Sequence, residues 1–226
     1  MPYYASMIFM LPAIILGIYA QTKVMRAYEK YRKVSTQNGY YGADVARRIL
    51  DSEGLSNVDV KQTPGTLSDH YDPRTKIVSL SKDVYENSSI ASVSVAAHEI
   101  GHAIQDKEGY VLLRLRNMIA PIAGFSSRIA WTMVFMGLIF SSVRLVDIAV
   151  ILYVSVVLFQ LFTLPVEINA SKRALEKLVS ENIIFEEEKP YAKEVLRAAA
   201  LTYVAASLTA ILELLRIMYI RDSERR

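Results

Sequence analysis

Two long stretches almost free of charge limit what this chain can become more than anything else in it. From Tyr3 to Ala20 there is no Asp, Glu, Lys or Arg, and from Ile129 to Leu164 only Arg144 and Asp147 interrupt an apolar run. Roughly 18 apolar residues are enough to cross the hydrocarbon core of a bilayer as a helix. The first stretch lacks a basic leading region and a small-residue cleavage site, so it reads as a retained anchor rather than a signal peptide. Pro12 inside it is tolerable in a membrane helix. The second stretch divides into Ile129–Val143 and Ile148–Leu164, with Arg144 and Asp147 suiting a tight polar turn between them. It predicts a helical hairpin that crosses the membrane and returns, with Arg128 free to snorkel toward the interface. A last apolar stretch covers Ala198–Leu212 and continues past Glu213 and Arg216, three residues apart and able to pair on one helix face, as far as Ile220. Whether it spans or packs is left open by the sequence.

Composition agrees with such a chain. Of 226 residues, 52% are hydrophobic, yet 22% are charged, and mean hydropathy is +0.23. The fold class expected is mainly α, a multi-pass membrane protein with a water-facing portion. Tyr3, Tyr4 and Tyr28 flank apolar runs, as aromatic residues do at a membrane boundary. The basic stretch Lys23, Arg26, Lys30, Arg32 and Lys33 marks the cytoplasmic side of the first span. A net charge of +3 without a dense basic run argues against a nucleic-acid partner. With no cysteine, disulfides, a thiolate nucleophile and Cys-ligated metal are excluded. The divisions expected are an anchor over 1–22, a juxtamembrane part over 23–116, the hairpin over 117–164, a polar helix over 165–197, and a hydrophobic helix with a polar tail over 198–226.

The stretch from Gly42 to Gly109 has the character of a water-soluble domain. Ala43–Ser52 reads as an amphipathic helix stopped near Gly54. Val58–Gln62 and Lys76–Leu80 alternate as strands do, with a turn-rich segment, Ser68–Pro73, between them. Ser88 or Ser89 can cap a helix that runs to Lys107 and stops at Gly109.

That helix carries His98-Glu99-Ile100-Gly101-His102. On an α-helix, residues i and i+4 share a face, so both imidazoles can reach one zinc ion. Glu99, next to the first of them, is placed to take a proton from an attacking water and hand it to a leaving amine. The flanks, Val93–Ala97 and Ala103–Ile104, are small or apolar apart from Ser94, so the histidines are expected to be at least partly buried. Only three histidines exist in the chain, so two of them at this spacing is an uncommon coincidence.

A catalytic zinc needs a third protein ligand and an open position. No histidine follows His102, so that ligand is His70 upstream or a carboxylate. Asp106, on the motif's own helix, cannot easily curl back, and Asp147 belongs to the hairpin turn. Glu167 is best placed: it follows Pro165, which suits a helix start, and a hairpin between His102 and Glu167 returns both to one membrane face.

Four stretches resemble the YugP-like family of neutral zinc metallopeptidases: LSDHYDPRTKIVSLS (Leu67–Ser81), VAAHEIGHAIQ (Val95–Gln105), LPVEINASKRAL (Leu164–Leu175) and AAALTYVAASLTAILELLR (Ala198–Arg216). The resemblance implies one zinc ion per chain, a plasma-membrane location and hydrolysis of peptide or protein substrates. A more distant similarity is to HtpX-type membrane peptidases, whose glutamate ligand after a membrane hairpin matches Glu167 in a gluzincin-like arrangement. Their pattern has an aspartate four residues after that glutamate, where this chain has Ser171; Asn169, Ser171 and Arg173 are the local candidates for orienting a ligand. In zinc peptidases a sheet edge often precedes the motif helix and pairs with extended substrate. Lys76–Leu80 is the strand in that place, and His70 or Tyr71 could then point into the cleft and stabilise an oxyanion.

The leading expectation is therefore a zinc-dependent metallopeptidase of the membrane, facing the cytoplasm, with a role such as membrane-protein quality control by analogy only. Two other readings compete. One is an intramembrane site-2-type protease, which the polar Ser92, Ser94, Gln105, Asp106 and Lys107 of the motif helix disfavour. The other is a non-enzymatic zinc-binding scaffold, which has no use for Glu99.

Overall fold

A computed structural model describes residues 7–225 of the chain. Tyr3, Tyr4 and the start of the expected anchor lie outside those residues. After a single 3₁₀ turn at Ile8–Met10, α1 runs over Leu11–Tyr31 and α2 over Gly42–Ser52. Three strands follow, β1 (Asp59–Thr63), β2 (His70–Asp72) and β3 (Ile77–Ser81), then the short α3 (Lys82–Tyr85) and the motif helix α4 (Ile90–Lys107). Three long helices complete the described chain: α5 (Val111–Ile139), α6 (Val143–Ser180) and α7 (Lys189–Glu224). The chain is mainly helical, and among the described residues four helices are long and apolar enough to cross a membrane: Ile8–Tyr31, Val111–Ile139, Val143–Ser180 and Lys189–Ser223. The motif helix α4 is not among them. The chain divides into two compact units.

Among the described residues, the first unit comprises 7–20, 111–165 and 202–225. Its packed centre is small, built from Ala130 and Val134 on α5, Val146, Ala149 and Tyr153 on α6, and Ile217 and Ile220 on α7. Large apolar side chains face outward instead: Ile139 and Ile151 are each 72% exposed and Phe125 is 64% exposed. An apolar exterior of this extent suits lipid rather than water. The hairpin turn falls at Phe140–Ser142 rather than at Arg144 and Asp147, which lie in the first turns of α6. The physical reason is visible on both sides of the turn. Ser141 takes the left-handed backbone (φ 47°), and the Ser142 N–H closes on the Gly137 carbonyl at 2.8 Å. Asp147 finds its counter-charges at the far end of the described chain, with Arg221 of α7 at 3.8 Å and Arg225, just after that helix, at 3.0 Å. Glu213 and Arg216 do pair as expected, at 3.2 Å and nearly buried.

Pro165 does not open a new helix: α6 continues through it to Ser180. A proline inside a helix forfeits one backbone hydrogen bond, but in an apolar run no water waits to satisfy the other backbone groups, so continuing the helix is the better solution. The polar stretch expected as one helix over 165–197 is instead the end of α6, a turn in which Asn182 is left-handed (φ 52°), and the start of α7.

The second unit comprises residues 21–110 and 166–201. Its core joins Tyr28 and Tyr31 of α1, Val45, Ala46, Ile49 and Leu50 of α2, Val78 and Leu80 of β3, one face of α4, and Ala174 and Leu178 of α6. The amphipathic α2 ends at Gly54 and α4 at Gly109, both glycines at positive φ (66° and 65°), the conformation that lets the last turn close on its own carbonyls. Ser89 caps α4, its hydroxyl accepting the Ser92 N–H at 3.1 Å. The sheet order is β1-β3-β2, with β1 parallel and β2 antiparallel to β3. Two expectations change here. Part of the segment read as turn is a strand, because His70 pairs with Ser79 and Tyr71 with Val78: pairing supplied by the tertiary fold overrides local turn chemistry. The strand read as an edge, β3, is the central one, and β2 with His70 and Tyr71 is itself an edge.

Candidate metal centre

The site is built from α4 and the portion of α6 that begins at Val166, both within the second unit. Helical spacing puts His98 and His102 on one face of α4, their rings 4.9 Å apart and nearly perpendicular. Glu167 reaches them from α6, with its Oε2 3.1 Å from His98 Nε2 and 3.4 Å from His102 Nε2. These three residues form the metal-competent group found among the described residues, one ligand atom from each lying within 4.8 Å of the others. Ligands around a tetrahedral zinc at roughly 2.0–2.1 Å stand about 3.3 Å from one another. The two separations from Glu167 fit that spacing, and two imidazoles with one carboxylate leave the fourth position open, as catalytic zinc sites do.

Glu99 lies on the same helix, buried. Burial is the main cause that pushes its carboxyl up, to about 7 from 4.5; the nearby His98 opposes the rise, while Glu167 and Asp69 add to it. His70 also acts on Glu99 through its charge. The His70 side chain is exposed, and its Nδ1–H donates to the Ser68 carbonyl at 2.8 Å. Tyr71, the next residue on β2, turns the other way and packs against the core. Its hydroxyl donates to Asp106 Oδ2 at 2.8 Å, and Lys76 donates to the same oxygen at 2.5 Å. Desolvation and that carboxylate hold the Tyr71 phenol well above its usual range. The structure thus brings His98, His102 and Glu167 together, sets Glu99 beside them and His70 within electrostatic reach, and ties Tyr71 to the end of the motif helix.

Neighbouring polar groups meet both histidines. Ser171 Oγ stands 3.2 Å from His98 Nδ1, so a hydroxyl occupies the position where the HtpX-type pattern has a carboxylate. His102 Nδ1 faces Gln105 Oε1 at 3.0 Å. Gln105, fully buried, donates through Nε2 to the Val166 carbonyl at 2.8 Å and to Asn169 Oδ1 at 2.9 Å. Asn169 Oδ1 also accepts from Arg173 Nε at 2.8 Å, and Arg173 pairs with Glu108 at 2.6 Å. Sequence reasoning noted Asn169, Ser171 and Arg173 but passed over Gln105. The available signal was its position, three residues after a candidate ligand and on the same face of the helix.

The family model described as "Putative neutral zinc metallopeptidase" matches residues 6–222. A relative from Bacillus subtilis (strain 168), "Putative membrane protease YugP", is 48% identical over 208 residues, 92% of this chain and 92% of that protein. No solved structure matches the chain.

Proposed function

The chain belongs to the zinc metallopeptidase family whose description it matches, and we propose that it is an endopeptidase of the plasma membrane using one zinc ion held by His98, His102 and Glu167. The observation that carries this reading is the convergence of those three side chains beside the buried carboxyl of Glu99. When bound, zinc supplies a Lewis acid for the scissile carbonyl and eases deprotonation of the attacking water. Glu99 is the general base: it takes that proton and later delivers it to the leaving amine.

The edge strand β2 offers unpaired backbone groups to an extended peptide. His70, on that strand, is the residue we assign to the developing oxyanion; with Nδ1–H given to Ser68, the imidazolium's Nε2–H is the donor that remains. Tyr71 keeps the strand seated through Asp106. The substrates we assign are peptide or protein segments presented at the cytoplasmic membrane surface, as in membrane-protein quality control. The basic stretch after the first span supports that orientation.

The test is Glu99→Gln in the full-length protein, with zinc content and cleavage of an unfolded protein substrate measured together. Turnover should fall by about 10²–10⁴-fold at unchanged zinc stoichiometry. Full turnover by the zinc-loaded variant would overturn the mechanism.

A further inference from the structure

We propose that Gln105 is a positioning residue that fixes His102 in the tautomer able to bind metal and fastens that histidine to the helix carrying Glu167. The inference rests on the reading of His102 as a ligand, and it follows from which groups in the chain of contacts can only donate and which can only accept. Arg173 is donor-only, so the Asn169 amide must turn its oxygen toward Arg173 Nε. The same Asn169 oxygen faces Gln105, and so does the Val166 carbonyl, also an acceptor only. Two acceptors require Gln105 to present its NH₂ to them, which turns its oxygen toward His102 Nδ1. An amide oxygen cannot donate, so His102 Nδ1 must carry a hydrogen, and Nε2 is the ring nitrogen left for a metal. Nε2 is the atom that faces Glu167.

The polarity of this chain is thus set at its partly exposed outer end, by Arg173 held against Glu108, and is transmitted inward to a ring nitrogen. His98 differs. Its Nδ1 partner is the Ser171 hydroxyl, which can donate or accept, so either ring form is accommodated there. One histidine is therefore set for metal in advance while the other adapts.

Gln105 has a second consequence. A single buried side chain bonds the second histidine on α4 and the backbone carbonyl of Val166, the residue before Glu167 on α6. Displacing α6 along its axis would break the Val166 bond, free the amide to rotate and release the tautomer. The placement of Glu167 and the protonation pattern of His102 are then one coupled arrangement rather than two separate ones. Hydrogen-bonding partners behind metal ligands typically change metal affinity by about 10–100-fold when lost.

The experiment uses full-length protein in detergent, with Gln105→Leu, Gln105→Glu and Arg173→Met compared against wild type. Zinc affinity is read by competition with a chromogenic chelator, and the metal-free ring nitrogens by ¹⁵N NMR of histidine-labelled protein. Only three histidines contribute to that spectrum. Wild type should show His102 in one ring form with Nδ1 protonated. Gln105→Leu should mix the tautomers and weaken zinc by about 10–100-fold. Gln105→Glu keeps an acceptor against Nδ1, so it should keep the tautomer while losing part of the affinity with the Val166 tether. Arg173→Met, at a partly exposed site where folding is not at risk, should admit the second tautomer and weaken zinc several-fold. Gln105→Leu or, should that variant not fold, Arg173→Met with wild-type resonances and wild-type affinity would overturn the proposal. Absence of zinc binding by wild-type protein would instead overturn the metal reading itself, so the two failures are told apart.

Discussion

Gly101 packs directly on the backbone of Ala170: a Cβ built on the glycine would lie 2.6 Å from the Ala170 carbonyl oxygen and 3.1 Å from its Cα. Gly101 stands one residue before His102 on α4, and Ala170 one turn after Glu167 on α6, so this contact sets how near the two ligand-bearing helices approach.

Gly101→Ala should therefore push α6 away from the motif helix. Overpacking of this kind costs about 1–3 kcal/mol, and backbone atoms cannot rotate aside as a side chain would. Thermal unfolding should occur at a lower temperature, and zinc affinity should fall although no ligand has been altered. Gly124→Ala, where a Cβ meets nothing within 4 Å, serves as the control and should be neutral or stabilising. Equal zinc affinity in Gly101→Ala and wild type would show that the helix approach tolerates a methyl group.

Zinc should stabilise the folded chain, because the ligand set exists only when α4 and α6 are packed. Ligand at 100 times its Kd adds about 2.7 kcal/mol, so chelation should lower the melting temperature measurably. Glu167→Ala should remove most of that zinc-dependent shift and the bound metal with it. Equal metal content in the variant and wild type would require another third ligand.

The Glu99 carboxyl gives the metal-free protein a pH dependence whose sign is fixed. Burial raises it from 4.5 to about 7, so between those values the folded chain holds a proton that the unfolded chain has released. Stability is then full below about pH 4.5, declines as pH rises toward 7, and changes no further from this group above that. The span corresponds to roughly 3 kcal/mol at most. Melting curves of chelated protein from pH 4 to 8 should show this decline in wild type relative to Glu99→Gln; parallel curves would reject it.

His70 and Tyr71 should separate by readout. His70→Phe should lower kcat by about 10²-fold with melting temperature unchanged, since its side chain is exposed. Tyr71→Phe should lose about 1 kcal/mol of stability with the bond to Asp106. Unchanged turnover in His70→Phe would remove it from the site.

The sequence by itself determined the local pieces. The spacing of His98 and His102 is a property of any α-helix, Ser89 and Gly109 bound α4 through their own backbone preferences, and charge-free runs announce membrane helices without reference to a partner. Glu167 could be picked out because few carboxylates remained and the hairpin returns the chain. What the tertiary structure decided were relationships between segments distant in sequence. The hairpin turn moved to Phe140–Ser142 because Asp147 is neutralised by Arg221 of α7 and by Arg225 just after it, and Pro165 stayed inside α6 because an apolar environment rewards an unbroken backbone ladder. His70–Asp72 became a strand because β3 offered it a partner, and Gln105 gained its place only when α6 brought Val166 and Asn169 to meet it. Periodicity and capping are written within a few residues of chain, whereas pairing, close approach and the polarity of a buried hydrogen-bond chain depend on groups far apart in sequence, such as Gln105 and Val166, meeting in space.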